Sequence, residues 1–315
     1  MPHPVDPQLA AALKKAADIA AELGPPVGGI LPDAGDAAEG RRYWNEGGPK
    51  MALVERRTVK GPLRDIPVIV YYPETRPKLP AFVYFHGGGY RIGNEEANDR
   101  QMREVAAAWG GAVISADYAH VPEHVFPAPV DEAVAVYKWL AASGADWSID
   151  GGRIAFGGSS AGANVAFGAA MALGGVKTGY LKAGVSVVGL LDDNVDSESM
   201  KAYDGGGIFP DRNGIIATID DYVKNPHERN DPRFNIAAAD VSVLPPVFLA
   251  AAEVDTLKDS SRKLAASMKA AGRPCMLKVY PGMTHTFLGF SRSVDRAQEA
   301  LRDIGSFLKE HLPPR

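Results

Sequence analysis

Arg153-Ile154-Ala155-Phe156-Gly157-Gly158-Ser159-Ser160-Ala161-Gly162-Ala163-Asn164 is the stretch whose reading decides the architecture. Arg153 to Phe156 reads as a short strand, and the small-residue run Ala161 to Leu173 reads as a helix. Between them, Gly158 to Gly162 fits G-x-S-x-G only with Ser160 in the centre. A strained strand-to-helix turn of this kind lifts a serine hydroxyl clear of a sheet, with glycines where neighbouring backbone comes close. The bare pentapeptide is a common pattern. The strand before it and the helix after it give it weight.

Outward from this turn the same alternation repeats. Val54 to Lys60 and Ile66 to Tyr72 are β-prone runs joined by Gly61-Pro62-Leu63-Arg64-Asp65, which predicts a hairpin. Further strands are expected at Ala81–Phe85, Ala112–Ala116, Ala183–Leu190, Pro246–Ala252 and Met276–Tyr280. Helices are expected at Glu95–Trp109, Val130–Ala142, Ser260–Ala271 and Ala297–His311. Strand and helix in alternation imply a mostly parallel central sheet with helices on both faces, an α/β fold whose ligands bind at the carboxyl ends of the strands.

Two segments break the pattern. Asp6 and Pro7 start, and Gly24-Pro25-Pro26 stop, an amphipathic helix with the stripe Leu9, Leu13, Ala16, Ala20 and Leu23. Gly28 to Gly48 behind it reads as irregular. The stretch around Asp192 to Asp240 holds Gly205-Gly206-Gly207, scattered acids and one weakly helical run at Ile215 to Val223. Long excursions inside a compact domain are usually lids or binding elements. The expected division is therefore a catalytic body, 48–192 and 236–315, under a helical cap made of an N-terminal segment, 1–47, and an insertion, 193–235.

The other motifs also begin where expected strands stop. His86-Gly87-Gly88-Gly89 follows Ala81–Phe85, and consecutive glycines let backbone amides point at a developing oxyanion. No Gly-Lys-Ser/Thr follows, so this is not a phosphate cradle. A serine nucleophile needs a base, and the base needs an orienting carboxylate. His285 lies just past Met276–Tyr280, and Asp255 lies just past Pro246–Ala252, with Glu253 and Asp259 as weaker candidates for the acid.

Composition narrows the alternatives. The 315 residues carry 34 basic and 38 acidic side chains, net −4, with no run of about five or more like charges, which argues against nucleic acid as a partner. No apolar run approaches the ~20 residues needed to span a bilayer, and Met1 to Asp6 does not resemble a signal peptide. Cys275 is the single cysteine, which fits the cytoplasm, and it opens a strand rather than a helix, as expected of a buried or edge thiol. The seven histidines are scattered, and only His120 and His124 stand four apart, in a Pro-flanked stretch, so no metal site is read. No cofactor is implied.

These blocks together resemble the hormone-sensitive-lipase-like, HGGG-bearing carboxylesterases of the α/β-hydrolase fold. The resemblance runs from about Ile66 to the C-terminus. It rests on His86–Gly89, Asp117-Tyr118 with Pro122-Glu123-His124 and Phe126-Pro127-Ala128, Gly157–Gly162, Asp231-Pro232-Arg233, Asp255-x-Leu257-x-Asp259 and Gly282-x-x-His285-x-Phe287. It implies Ser160, Asp255 and His285 as the catalytic triad, in that family's chain order, and the amides of Gly88, Gly89 and Ala161 as oxyanion donors. Ser159, where many members carry Asp, is a departure that bears on subfamily and substrate. The expected activity is hydrolysis of short- to medium-chain carboxylic esters through an acyl-enzyme on Ser160. The expected partner is a small-molecule ester, with homodimerisation open. Amidase or lactonase chemistry would use the same triad. A hydroxynitrile lyase or a non-catalytic small-molecule receptor would share the fold, although such receptors typically lose the histidine that His285 supplies.

Overall fold

In a computed structural model the chain is described over residues 4–23, 34–204 and 207–314, with the backbone alone for 34–39. Its strands are β1 (Leu53–Lys60), β2 (Asp65–Tyr72), β3 (Leu79–Phe85), β4 (Ala112–Ala116), β5 (Ile149–Ser159), β6 (Leu181–Val187), β7 (Val247–Val254) and β8 (Cys275–Thr284). They form one eight-stranded sheet in the order β1-β2-β4-β3-β5-β6-β7-β8. The hairpin β1–β2 is antiparallel, and β2 also runs antiparallel to β4; every pairing from β4 through β8 is parallel. The expected mostly parallel α/β sheet is what forms.

A strand covered on both faces loses the apolar–polar alternation and becomes a continuous apolar run. β3, Leu-Pro-Ala-Phe-Val-Tyr-Phe, is buried at every position. Its Ala81, Val83 and Phe85 face one core, shared with α4 (Ala128–Ser143), α5 (Ala161–Ala172) and α8 (Lys258–Ala270). Phe82 and Tyr84 face the other, shared with α3 (Asp99–Trp109) and α9 (Asp295–His311). The two cores clamp the sheet, so strand ends are fixed relative to one another.

Element ends differ from the sequence reading where side chains intervene. α3 begins at Asp99 rather than Glu95, because the Asn94 side chain accepts the Glu96 amide at 3.1 Å and holds those residues in a turn. β6 stops at Val187, since Val188 turns the chain at a positive φ of 46°. A short helix not expected from the sequence, α6 (Glu198–Tyr203), is capped by Ser197, and α7 (Arg212–Tyr222) by Asp211. Gly205 and Gly206 of the triple-glycine run lie outside the described residues.

The N-terminal segment needs a larger correction. α1 (Pro7–Leu23) starts as expected, with the Asp6 carboxylate accepting the Gln8 amide at 2.8 Å. Only Leu9 and Ala12 are buried; Ala20 and Leu23 are exposed, so the stripe docks by its first turns and not along its length. The Gly24-Pro25-Pro26 stop lies outside the described residues. Within Gly28–Gly48, read as irregular, Ala34–Asn45 is a helix, α2. It is held by tertiary contacts: Trp44 is buried edge-on to Phe290 at 4.7 Å, and Arg103 donates to the carbonyls of Asn45 and Pro49, each at 2.9 Å.

Unequal docking along α1 gives a test. Leu9→Ala is expected to weaken the attachment of this helix by about 2–5 kcal/mol, the range for a buried leucine. Leu23→Ala should change it by roughly 0.5 kcal/mol or less. Hydrogen exchange of the α1 amides reads the difference.

Candidate active site

β5 ends at Ser159 and α5 begins at Ala161, leaving Ser160 alone at the turn with φ 52° and ψ −121°. That conformation is strained for any residue with a Cβ. It is held from both sides: the Ser160 amide donates to the Val187 carbonyl at 2.9 Å, and the Ser160 carbonyl accepts the Leu190 amide at 3.2 Å. The flanking glycines are required by space. A Cβ on Gly158 would sit 2.4 Å from the Phe85 carbonyl oxygen, and one on Gly162 would sit 2.2 Å from the carbonyl oxygens of both Phe85 and His86.

His285 and Asp255 meet this serine from neighbouring strand ends. β7 stops at Val254 and β8 at Thr284, one residue before each. Ser160 Oγ lies 2.9 Å from His285 Nε2, and His285 Nδ1 lies 3.0 Å from Asp255 Oδ2. Asp255 is fully buried, and its other oxygen accepts the Leu257 amide at 3.0 Å. With a carboxylate at Nδ1, the ring proton sits there and Nε2 is left to accept from the serine hydroxyl. The two weaker acid candidates are engaged elsewhere. Glu253 accepts the Gly282 amide at 2.8 Å, while Asp259 accepts the Ser199 amide at 2.7 Å and pairs with Arg262 at 3.1 Å.

The glycine loop faces the serine across the end of β3. A Cβ on Gly87 would lie 3.3 Å from that of Ser160, and one on Gly88 would lie 1.9 Å from the Ile92 carbonyl oxygen. Gly88 and Gly89 both take positive φ, 132° and 61°. Ala161 is the first residue of α5, so its amide has no carbonyl four residues back to bond. Behind the loop, Tyr118 stacks on His86 and donates to its carbonyl at 3.1 Å, and His86 Nε2 lies 3.2 Å from Asp117. Burial would raise the Asp117 pKa, but the hydrogen bond and charge of His86, followed by Arg64 and His120, bring it down to about 2.

His86, Asp117 and His120 are the group of three among the described residues whose ligand atoms come close enough to share a metal ion. In the sequence only His120 and His124 stand four apart, and no metal site is expected from them. Arg64, 2.9 Å from Asp117 and 3.2 Å from Glu132, already places a positive charge against this carboxylate. The group braces the glycine loop through the His86–Asp117 hydrogen bond, with His120 3.7 Å from Asp117 and its buried Nε2 without a hydrogen-bond partner among the described residues. Cys275 is half-buried, and burial pushes its thiol up to about 11, far from a reactive thiolate.

Ser160, His285, Gly88, Gly89 and Ala161 share the wall of one cavity of about 790 Å³. Arg41 and Trp44 of α2 and Phe209, Ile215 and Thr218 of the 193–235 segment complete that wall. Phe209 stands 70% exposed with its ring edge-on to His285 at 6.2 Å. Sequence reasoning missed Arg41 and Trp44, because the stretch that carries them showed no usable periodicity. It also missed the partner of Ser159, whose hydroxyl accepts from buried Tyr84 at 2.9 Å.

The fold and this site define an α/β hydrolase with a serine at its nucleophile turn. A family model described as alpha/beta hydrolase fold matches residues 82–289. An acetyl esterase of Salmonella paratyphi A is 32% identical over 277 residues, covering 86% of this chain and 84% of that protein. Two solved structures are similar throughout. A hyperthermophilic esterase from the archaeon Pyrobaculum calidifontis superposes with a TM-score of 0.86 at 28% identity, over 98% of each chain. A thermostable carboxylesterase cloned from a metagenomic library gives 0.84 at 28%, over 89% of this chain and 96% of its own. The chain belongs to the hormone-sensitive-lipase-like carboxylesterase family of the α/β hydrolases.

The brace makes stability depend on pH with a definite sign. Burial, and then the neighbouring His86, lower the His120 pKa to about 4 from its usual 6.5. Between those values the unfolded chain binds the proton and the folded chain does not, so stability falls as pH drops from 6.5 toward 4. His120→Gln should remove a loss on the order of 1–2 kcal/mol between pH 7 and pH 5, read by urea unfolding at the two pH values.

Proposed function

We propose that this chain is a serine carboxylesterase cleaving short- to medium-chain carboxylic esters through an acyl-enzyme on Ser160. One observation carries the reading: the Asp255–His285–Ser160 chain of hydrogen bonds, 3.0 and 2.9 Å long, opens into a cavity walled by Gly88, Gly89 and Ala161. Ser160 Oγ attacks the ester carbonyl carbon while His285 Nε2 takes its proton. Asp255 holds the Nδ1 proton in place and stabilises the imidazolium that forms. The negative oxygen of the tetrahedral intermediate is met by the amides of Gly88, Gly89 and Ala161. The carbon–alkoxy bond then breaks, and His285 gives its proton to the leaving alcohol. Water repeats the attack on the acyl-enzyme through the same histidine, releasing the acid and restoring Ser160. Every group this cycle needs comes from the chain itself and water.

The acyl length follows from the walls. Residues 1–47 and 193–235 are proposed as a cap, supported by Trp44 on one side and Ile208 and Phe209 on the other lining the cavity. Each added methylene gains about 0.8 kcal/mol until such a wall is met, and strain then opposes it. The acetyl esterase name of the Salmonella relatives agrees with a short acyl group. One cysteine and no described helix long and apolar enough to cross a membrane support a cytoplasmic place of action.

Four single variants and one double variant test the roles. Ser160→Ala should lose ester hydrolysis and labelling by a fluorophosphonate. Asp255→Asn and His285→Ala should each lower kcat about a thousandfold or more, with the double variant little worse than the worse single. Glu253→Gln should stay within a few-fold of the parent. A harmless Asp255→Asn beside a severe Glu253→Gln would reassign the acid, and full labelling of Ser160→Ala would remove the nucleophile.

A further inference from the structure

Arg41 lines the same cavity as Ser160. No carboxylate pairs with it among the described residues, whereas the other arginine on that wall, Arg91, is ion-paired with Asp221. The two acids on the wall are both committed: Asp221 to Arg91 and Lys224, and Asp211 to the Gly214 amide at 2.7 Å as the cap of α7. Tyr84, whose hydroxyl interacts electrostatically with Arg41, is not its counter-ion. Burial pushes that hydroxyl up to about 12, and it donates to Ser159.

One of the guanidinium nitrogens comes within 3.3 Å of where a Cβ on Gly289 would stand, so the bare backbone of the turn four residues past His285 makes room for it. Trp44, Leu288 and Phe290 share the wall. The side chain is exposed to the cavity, and the neighbouring protein lowers its pKa from the usual value, with Tyr84 opposing. An arginine nonetheless stays charged. With no carboxylate paired to it among the described residues, its planar fork of donors is open to the cavity and is matched best by a carboxylate.

We infer that Arg41 is a carboxylate-binding group of the substrate cavity, so that the preferred esters carry an anionic carboxylate on the acyl or the alcohol side of the scissile bond. This rests on the carboxylesterase reading. Arg41 would touch the substrate's anion rather than the reacting atoms, and its effect belongs to selectivity.

Two matched substrate pairs test it with the full chain. On the acyl side, mono(4-nitrophenyl) adipate is compared with its methyl ester; on the alcohol side, 4-acetoxybenzoate with its methyl ester. For wild type, the ratio of kcat/KM, anion over neutral, is divided by the same ratio for hydroxide-catalysed hydrolysis. It should exceed one by roughly tenfold to a hundredfold in at least one pair, the range of a charge-assisted hydrogen bond. Arg41→Gln should bring that ratio back toward one whatever the absolute rates do, and Arg41→Lys should recover part of it. A wild-type ratio at or below one in both pairs overturns the inference without Arg41→Gln needing to fold. So does a ratio that Arg41→Gln leaves unchanged. Neutral esters cleaved without any anion effect sink the role of Arg41 alone; no ester cleaved at all takes down the carboxylesterase reading with it.

Discussion

The carbonyl oxygens of Phe85 and His86 at the end of β3 set how near the Ser160 turn can come, since a Cβ on Gly162 would stand 2.2 Å from both. With glycine at 158 and 162 the two backbones press together, and several features follow. β3 and β5 keep their parallel register to the last pair, Phe85 with Gly158. The glycine loop that leaves β3 is brought against the serine that leaves β5, with Gly87 almost touching Ser160. The strained φ of Ser160 survives because the surrounding backbone over-determines it. One approach of backbone to backbone thus positions both the nucleophile and the amides proposed to meet the oxyanion.

The same economy explains which parts of the molecule were legible. Close backbone approach admits only glycine, so it leaves a mark in the sequence at Gly158, Gly162, Gly88 and Gly89. Strands clamped between two cores become apolar runs, so β3 and β4 could be read directly. Ser160, His285 and Asp255 fall one residue beyond or at strand ends, where chain order and position both identify them. The choice among Glu253, Asp255 and Asp259 was not settled by spacing. In the three-dimensional arrangement the β7 end sends Glu253 to Gly282 and Asp255 to His285.

What could not be read is held by tertiary contact and not by local pattern. α2 has two glycines and little amphipathic order, and it stands because Trp44 packs on Phe290 and Arg100 and Arg103 hold the carbonyls that follow it. The N-terminal stripe over-promised for the complementary reason. Leucines at helical spacing predict a face, but burial depends on what lies opposite, and only the first turns of α1 meet the body. His120 was linked by spacing to His124, while the fold brings His86 and Asp117 to it from more distant stretches of chain.

This division between legible and illegible follows the division of labour in the site. Bond making and breaking depends on atoms placed to within a fraction of an ångström, and here that precision comes from strand ends locked between two packed cores. Such locking restricts residue types sharply and so writes motifs. Selectivity depends on what the remaining wall offers to the rest of the substrate. That wall is built from segments that cross the strand ends and can differ in sequence without disturbing the sheet. Arg41 and Trp44 sit one turn apart on α2, one presenting charge to the cavity and the other anchoring the helix to the body. A change at Trp44 would therefore alter where Arg41 stands as well as the apolar wall, so the substrate preference of this enzyme is coupled to the docking of a helix that takes no part in the chemistry.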